Sequence, residues 1–305
     1  MQVSVITPTY NRPAELRRAL ASLVQQTVVA DVEAVVVNDG GCPVDDVVRE
    51  FEKDLTVTLR TLADNQGVSR ARNEGLRIAQ GELVAFLDDD DVYAPDHLDT
   101  AMRMIDASAD FVFVNTPVVV TAVENGDIAS AETVDGYDFP DDRGLLEVTN
   151  HIPPVAVVCR SPARAGCEFD TSLRVFEDWD MWLRMQREFG YRFAYSPRPT
   201  AALQRIRGEK SLTTATLGAK SALLDFARSY DRICSRFPAR SAATRHARKY
   251  LPVMYDATGR LLDAGRRPHP QYYERCLRVL YRALAGDGNA VFDVESSVVD
   301  AIEPA

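Results

Sequence analysis

Residues 84–95 read VAFLDDDDVYAP, an apolar run that leads directly into four aspartates, Asp88 to Asp91. The apolar half is typical of a strand buried on both faces. Ionising four neighbouring carboxylates beside it is costly, because like charges repel and burial disfavours the charged form. A hard divalent cation would relieve the repulsion. The alternative is a solvated turn that caps a helix near Pro95, since Asp is common in turns and at N-caps.

Apolar runs alternate with helical patterns on both sides of this segment, over the first 115 residues. The expected strands are 3–7, 32–37, 56–62 and 82–87. The expected helices are 13–26, about 43–53 and 68–80. This alternation predicts βαβ units and a parallel sheet, in which ligands gather at the carboxyl ends of the strands. Residues 7–11, 38–41 and 88–91 follow three of these strands, so we expect them at one edge of the sheet.

The later sequence changes from mixed to helical character. Residues 110–123 and 153–160 resemble strands, whereas the polar, acidic residues 124–150 predict a long loop or small excursion. Residues 177–190 have apolar residues at helical spacing, and that helix should end at Gly190. From about residue 216 the apolar positions recur every three or four residues, which predicts a helical C-terminal extension.

Composition indicates a soluble globular protein, with 46% hydrophobic and 26% charged residues. We find no apolar run of membrane-spanning length and no secretory signal pattern, so a cytoplasmic location is expected. The five cysteines form no C-x-x-C pair, which is typical of reduced thiols. The four histidines show no metal-ligand spacing and are interpreted as ordinary core or surface residues.

The net charge of −10 is unevenly distributed, because residues 181–285 hold 21 Lys and Arg against 7 Asp and Glu. This basic region could consist of solvated helix faces, contact a phosphorylated acceptor or a membrane surface peripherally, or form a homodimer surface. Aromatic and basic residues are not interleaved as in nucleic-acid-binding proteins, so no nucleic-acid partner is expected.

Two shorter motifs are ambiguous by themselves. The VVVNDGG segment, residues 35–41, is either an ordinary turn or a strand end that presents Asp39 to a ligand. The FEDWD segment, residues 176–180, has acids at a predicted helix start, where the helix dipole favours them. Its alternative function is a general base that deprotonates an acceptor hydroxyl.

Taken together and in order, four segments resemble family 2 glycosyltransferases: VSVITPTYNR (3–12), VVVNDGG (35–41), the stretch 64–98 and EDWDMWLRM (177–185). The similarity extends over about residues 2–210. It implies an α/β GT-A fold, a Rossmann-like, mostly parallel sheet flanked by helices, here followed by a helical C-terminal extension. It also implies transfer of a sugar from a nucleotide-diphosphate sugar, with UDP as the first candidate nucleotide, to an acceptor hydroxyl. Transfer would invert the anomeric carbon and use a divalent metal, Mg²⁺ or Mn²⁺.

The resemblance implies a division of the chain into two regions. Residues 1–215 would form the catalytic domain, with 1–115 as the nucleotide-binding half and 116–215 as the acceptor half. Residues 216–305 would form the helical extension. The acceptor is left open between a glycan, a lipid-linked sugar and a small molecule.

The resemblance further assigns roles to single residues near the nucleotide. Thr7, Pro8 and Tyr10 match the first nucleotide-contacting loop. Asp39 matches the carboxylate that recognises the base. The segment from Gly67 to Asn73, with Arg70 and Arg72, matches the stretch beside the nucleotide.

Metal and proton-transfer roles follow from the same resemblance. In the D-x-D motif of residues 88–90, Asp88 or Asp89 should approach the ribose and Asp90 should ligate the metal, with Asp91 as a supporting or alternative ligand. Asp178 matches the catalytic base, ahead of Glu177 and Asp180.

One position departs from the family pattern. Many relatives carry a late histidine that assists the metal or the diphosphate, whereas residues 203–213 here place Arg207 at the corresponding point. A charged Arg cannot ligate a metal, but it can pair with a diphosphate. Arg207 could equally be an ordinary loop cation.

Two other functions remain as alternatives. A sugar nucleotidyltransferase would also use metal-binding acids on an α/β domain, but it usually carries a Gly-rich, basic phosphate loop after the first strand. TPTYNRP, residues 7–13, is not such a loop. The other alternative is a non-catalytic protein that only binds a sugar nucleotide or a glycan.

Overall fold

The computed structural model describes residues 3–28, 32–124, 127–141, 144–206, 220–266, 268 and 271–287. Its contacts divide the described chain into two compact units. The first comprises the residues up to Asp138, Ile152–Ser172 and the described residues from Asp180 to Ile206. The second comprises Phe139–His151, Leu173–Trp179 and the described residues from Lys220 onward. The assignment of nucleotide and acceptor halves stays a prediction.

The strands all belong to the first unit. In chain order they are β1 (Val3–Thr9), β2 (Val32–Asn38), β3 (Thr56–Thr61), β4 (Leu83–Phe86), β5 (Val92–Tyr93), β6 (Phe111–Val114), β7 (Thr116–Glu124), β8 (Asp127–Tyr137), β9 (Val157–Arg160), β10 (Phe193–Ser196) and β11 (Ala201–Ile206). Seven of them form one sheet in the order β10-β6-β9-β4-β1-β2-β3, and β5-β11-β7-β8 form another. In the larger sheet only β9 runs antiparallel to its neighbours β4 and β6. The mostly parallel sheet is therefore confirmed.

The centre of the larger sheet explains the apolar runs in the sequence. Every residue of β1, β2 and β4 is buried. Strand β1 lies between β2 and β4, with Thr9 opposite Asn38 and Ile6 opposite Phe86. Strands covered on both faces need nearly continuous apolar sequence, because neither face meets water.

The helices lie close to their predicted positions. They are α1 (Pro13–Val24), α2 (Asp45–Phe51), α3 (Val68–Ile78), α4 (His97–Ala107), α5 (Glu177–Arg187), α6 (Lys220–Arg236), α7 (Ala242–Ala247), α8 (Tyr250–Asp263) and α9 (Tyr272–Leu284). Helix α1 begins at Pro13, whose missing N–H would be unpaired there anyway. It buries Leu16, Leu20 and Leu23 completely, and each such side chain contributes about 1.5–3 kcal/mol.

Helix α3 approaches the sheet closely at Gly75. A Cβ atom at that position would lie 2.5 Å from Cγ2 of Ile6 in β1. This contact is the physical reason for a glycine inside a helix, where it otherwise costs about 1 kcal/mol relative to Ala. It sets the distance between α3, which carries Arg72, and the strand that ends at Thr9.

The expectation of a loop over residues 124–150 was wrong in its first half, because β8 spans Asp127–Tyr137 and pairs antiparallel with β7. Strand β8 is at the edge of its sheet, and Ala131, Glu132 and Thr133 are exposed there. Backbone pairing rather than apolar burial holds such a strand, so it lacks the hydrophobic pattern that predicts strands. Gly136 permits the pairing, since a Cβ there would lie 2.1 Å from the Thr116 carbonyl oxygen.

The helical C-terminal extension is confirmed, and its helices α6 to α9 lie in the second unit. An aromatic cluster forms much of the core of this unit. Trp179 stacks on Tyr230 at 5.6 Å between ring centroids, and Phe176 meets Phe226 edge-on at 5.1 Å. No helix of the described residues combines the length and the apolarity that a membrane crossing requires.

The cysteines and two of the histidines match their interpretation as ordinary residues. All five cysteines are free thiols. Burial lowers the pKa of His97 and of His151 to about 3, so both imidazoles are neutral. Nδ1 of His97 lies 3.0 Å from the Thr200 hydroxyl. His246 is exposed, and His269 lies outside the described residues.

Candidate functional site

Strands β1, β2 and β4 end at one edge of the larger sheet, as the sequence predicts. The Asp39 N–H donates to the Thr9 carbonyl at 2.9 Å, and the Leu87 N–H donates to the Ile6 carbonyl at 3.0 Å. The residues that follow each strand are therefore adjacent, which brings the four aspartates next to the loop after β1.

Asp88 is held by an arginine from helix α3. Nη2 of Arg72 lies 2.7 and 2.9 Å from the two carboxylate oxygens. Arg72 is 2% exposed, and its guanidinium lies 5.5 Å from the centre of the Phe169 ring. A buried guanidinium on an aromatic face and a carboxylate is firmly oriented, so Arg72 fixes the first acid of the cluster.

Asp89 and Asp90 share a second arginine, Arg12, from the loop between β1 and α1. Nη1 of Arg12 donates to Asp89 at 3.3 Å and to Asp90 at 2.8 Å. The Thr9 hydroxyl also donates to Asp89, at 2.8 Å. Burial by itself would lower the pKa of Arg12, but the charges of Asp89 and Asp90 raise it overall. Arg12 thus remains a fixed cation beside the acids.

The remaining negative charge is poorly stabilised. Burial raises the pKa of Asp89 to about 7, against the opposing effect of the Thr9 hydrogen bond. Burial, followed by the charge of Asp88, raises the pKa of Asp90. The pKa of Asp91 lies well above its usual range, first because of burial and then because of Asp90. Within the described residues, three of the four carboxylates contact two guanidinium groups, Asp88 with Arg72 and Asp89 and Asp90 with Arg12, so four acids share two cations.

Asp91 has a structural contact that the other three acids lack. Its carboxylate accepts the backbone N–H of Gln204 in β11 at 2.9 Å, and it is 3% exposed. This bond ties the acid cluster to the second sheet of the same unit. The role of Asp91 as a supporting ligand stays a prediction.

A divalent cation fits this donor set as a partner shared with phosphate. No group of three or more His, Cys, Asp or Glu side chains in the described part of the chain is arranged to hold a metal by itself. Mg²⁺ usually binds through one or two carboxylates together with substrate phosphates, so a complete protein cage is not required. The side chains of Asp88 and Asp90 are 29% and 35% exposed, whereas that of Asp89 is 7% exposed. The role of Asp90 as the metal ligand stays a prediction.

Asp39 shapes the loop before α3. Its two carboxylate oxygens accept the backbone N–H groups of Gln66 and Gly67, each at 2.8 Å. Gly67 has φ 89°, a left-handed value that favours glycine. Gly40 also packs against the loop before α3, since a Cβ atom there would be 2.4 Å from the Asp64 carbonyl carbon. Recognition of a base by Asp39 stays a prediction.

The loop after β1 presents a mixture of buried and exposed groups. Thr7 and Pro8 are buried within β1, and the Thr7 hydroxyl has no hydrogen-bond partner. Tyr10 is 44% exposed, so part of its ring is in contact with solvent. The Asn11 side chain accepts the Cys42 N–H at 2.8 Å and so joins this loop to the one after β2.

Asp178 lies in the first turn of α5, within the second unit. One carboxylate oxygen accepts the Trp179 N–H at 2.8 Å, and the other accepts the Asn150 side-chain amide at 2.7 Å. Asp180 is 2% exposed and pairs with Arg184 at 2.7 Å. A buried carboxylate in an ion pair is a poor general base. The role of Asp178 as the base stays a prediction.

Sequence reasoning missed Arg12 and Asn150 as site residues. Four adjacent acids require counter-charges, and Arg12 follows the polar end of β1 in the sequence. Its positive charge could therefore have identified it as a partner of the acids. Asn150 carries no such signal, because only the fold brings it to Asp178. Arg207 lies outside the described residues.

Comparison with known proteins places these features in a family. The family model described as glycosyl transferase family 2 matches residues 4–166. An uncharacterized glycosyltransferase of Haemophilus influenzae is 30% identical over 187 residues, which are 61% of this chain and 62% of that protein. The uncharacterized glycosyltransferase YwdF of Bacillus subtilis is 28% identical over 199 residues, 62% of this chain and 69% of YwdF. The match with the Haemophilus protein thus extends over less than two thirds of its length.

Solved structures give the same fold. Staphylococcus aureus TarS 1–349 in complex with UDP has a TM-score of 0.55 at 18% identity, covering 98% of this chain and 90% of that chain. The mannosyltransferase PcManGT from Pyrobaculum calidifontis, in complex with GDP-Man and Mn²⁺, has a TM-score of 0.55 at 19% identity, covering 98% and 85%. These similarities confirm the α/β GT-A fold. With more than half of its length matched by the family model, the chain belongs to glycosyl transferase family 2.

Proposed function

We propose that this protein transfers a sugar from a nucleotide-diphosphate sugar, a UDP-sugar in the first instance, to an acceptor hydroxyl with inversion at the anomeric carbon. The observation that carries the proposal is the acid cluster, Asp88 to Asp91, with its incompletely neutralised charge at the carboxyl edge of a parallel sheet. Family membership supports glycosyl transfer. The complexes of TarS with UDP-GlcNAc and of PcManGT with GDP-Man support a nucleotide-sugar donor.

Donor binding is assigned to the edge formed by β1, β2 and β4. Asp39 would recognise the base, and Thr7, Pro8 and Tyr10 would contact the nucleotide. The orphaned Thr7 hydroxyl and the exposed Tyr10 ring support this assignment. Gly67 and Arg72 would lie beside the nucleotide. The hydrogen bond from Arg72 to Asp88 supports a role for Arg72 in orienting Asp88 toward the ribose.

The leaving group needs charge stabilisation. A divalent cation, Mg²⁺ or Mn²⁺, would neutralise the charge that develops on the departing diphosphate. Asp90 would hold it, with Asp91 in support, and Asp88 or Asp89 would contact the ribose. The Mn²⁺ bound to PcManGT supports metal use.

Asp178 is proposed as the general base. As the acceptor oxygen forms its bond to the anomeric carbon, Asp178 takes the hydroxyl proton and the bond to the nucleoside diphosphate breaks. The N–H groups of Trp179 and Asn150 favour the charged carboxylate, which is the form that a base requires.

Incubation with UDP-, dTDP- and GDP-sugars, with Mn²⁺ or Mg²⁺ or with a chelator, tests the proposal. Metal-dependent release of nucleoside diphosphate, together with a glycosylated acceptor of inverted configuration, is the expected result. Release of pyrophosphate would instead identify a sugar nucleotidyltransferase, and binding without turnover would identify a non-catalytic protein.

The acceptor is proposed only as a class, namely a glycan, a lipid-linked sugar or a small molecule with a hydroxyl group. The basic residues of the C-terminal region would suit an anionic acceptor or a peripheral membrane contact, and a homodimer surface is the alternative. Binding to anionic vesicles and measurement of the mass in solution separate these cases.

A further inference from the structure

A short chain of hydrogen bonds joins the C-terminal helix α9 to Asp178 within the second unit. The Tyr273 hydroxyl donates to the Asn150 carbonyl at 2.8 Å. The Asn150 side-chain amide donates to Asp178 at 2.7 Å. The Thr149 hydroxyl lies 2.9 Å from the same Tyr273 oxygen. Because the one phenolic proton of Tyr273 goes to a carbonyl, which can only accept, the Thr149 hydroxyl donates to Tyr273.

The Tyr273 hydroxyl remains a hydrogen-bond donor to the Asn150 carbonyl over the pH range in which activity is measured. Burial raises the pKa of Tyr273 above its ordinary value, so the phenol keeps its proton. Thr149 is fully buried. Tyr273 is further held by its helix, whose neighbouring residues Tyr272, Cys276 and Leu277 are at most 5% exposed. The oxygen of Tyr273 is therefore a fixed point relative to residue 150.

The start of α5 is held against the same loop by a second contact. The Trp179 indole N–H donates to the Leu146 carbonyl at 2.6 Å. Phe176, which directly precedes α5, has φ 62°, a left-handed value that costs about 1 kcal/mol or more for a residue with a side chain. Such a conformation persists only where surrounding contacts enforce it. The Phe176 ring packs edge-on against Trp179 at 5.4 Å and against Phe226 at 5.1 Å.

We infer that Asn150 and Tyr273 are positioning residues for Asp178, an inference that rests on the proposed function. Asn150 fixes the rotamer of the carboxylate and favours its charged form by donating an N–H. Tyr273 fixes Asn150 through its backbone carbonyl. The helical C-terminal extension thereby takes part in transfer through the orientation of the base, in addition to its part in folding.

The test compares Asn150→Ala and Tyr273→Phe with the wild type, using donor and acceptor under metal-saturated conditions. Tyr250→Phe is the matched control, since it removes a hydroxyl that contacts His246 at 2.6 Å in the same unit. We expect kcat to fall about tenfold or more for Asn150→Ala and about fivefold for Tyr273→Phe, as the loss of an orienting hydrogen bond predicts. The donor KM and the Kd of the nucleoside diphosphate should be unchanged, and Tyr250→Phe should have wild-type kinetics.

Two further readouts separate positioning from a general structural role. Loss of the Asn150 donor should raise the pKa of Asp178 and move the acid limb of the kcat/KM profile to higher pH. Among the described residues, Glu177 on the same helix and Tyr273 on α9 are titratable neighbours of Asp178, and Tyr273 interacts electrostatically with it. Tyr273→Phe should also have little effect in the Asn150→Ala background, because Tyr273 acts on Asp178 through the Asn150 side chain.

The outcomes distinguish this inference from the proposed function. Wild-type kcat and pH profile in Asn150→Ala and Tyr273→Phe, with Asp178→Asn inactive, would overturn the inference and leave the proposed base in place. A parallel loss of kcat and nucleotide binding would also overturn it, because it indicates a folding defect. If Asn150→Ala does not fold, Tyr273→Phe, which removes one oxygen atom, decides the question. An active Asp178→Asn variant would instead refute the base assignment.

Discussion

Burial of Asp89 should make the stability of the metal-free protein depend on pH. Asp89 is 6% exposed, and its pKa is raised to about 7, against about 3.9 in an unfolded chain. The folded protein therefore keeps a proton that the unfolded chain has lost between about pH 4 and about pH 7. The free energy of unfolding should fall as the pH rises through this window. At 1.36 kcal/mol for each pH unit, the full effect is about 4 kcal/mol.

Asp89→Asn removes this ionisation and keeps the size of the side chain. The wild type should lose about 3 kcal/mol of stability between about pH 5 and about pH 8 because of Asp89, and the variant should lack this part of the loss. Urea unfolding with a chelator present, followed by tryptophan fluorescence, measures the difference. Asp90 and Asp91 are present in both proteins, and because their charges interact with that of Asp89, the difference between the two pH profiles measures Asp89 together with its effect on these neighbours.

Asp46→Asn is the matched control, because the side chain of Asp46 is 90% exposed and is solvated in both states. It should show the pH dependence of the wild type. Equal pH dependence in Asp89→Asn and wild type would refute the reasoning, since it would mean that the charged carboxylate is fully stabilised by Arg12 and Thr9.

Three other substitutions test the assigned roles. Asp178→Asn should reduce transfer by a factor of about 100 or more, as expected for loss of a general base, while calorimetry shows unchanged nucleotide binding. Asp90→Ala should weaken nucleotide binding relative to the wild type in the presence of Mn²⁺ but not in the presence of a chelator. If the variant and the wild type bind the nucleotide with equal affinity in both conditions, the role of Asp90 as a ligand is contradicted. Gly40→Ala should lower the free energy of unfolding by about 1–3 kcal/mol and weaken nucleotide binding, because its φ of 71° and its contact with Asp64 leave no room for a side chain. Thermal unfolding with and without UDP measures both effects.

The order of the early strands and helices could be predicted because each rule involved is local. The apolar run of β2 predicts a strand, and the proline at the start of α1 predicts the beginning of a helix, each from a few neighbouring residues. Edge strand β8 was not predicted, because its pairing depends on the backbone of β7 and its exposed residues Ala131, Glu132 and Thr133 form no apolar pattern. Similarly, the sequence shows that residues 88–91 are acidic, but it does not show which cations approach them.

Local sequence alone determined that a parallel sheet would deliver Asp39 and the four aspartates to one edge, because buried strands need continuous apolar runs and their polar ends must lie together. Tertiary structure decided how these acids differ. Arg72 reaches Asp88 from α3, Arg12 joins Asp89 and Asp90, and β11 binds Asp91. It also decided that Asn150 holds Asp178. These partners are 16 to 113 positions apart in the chain, and no local propensity encodes contacts at such separations, since they arise only when whole elements pack.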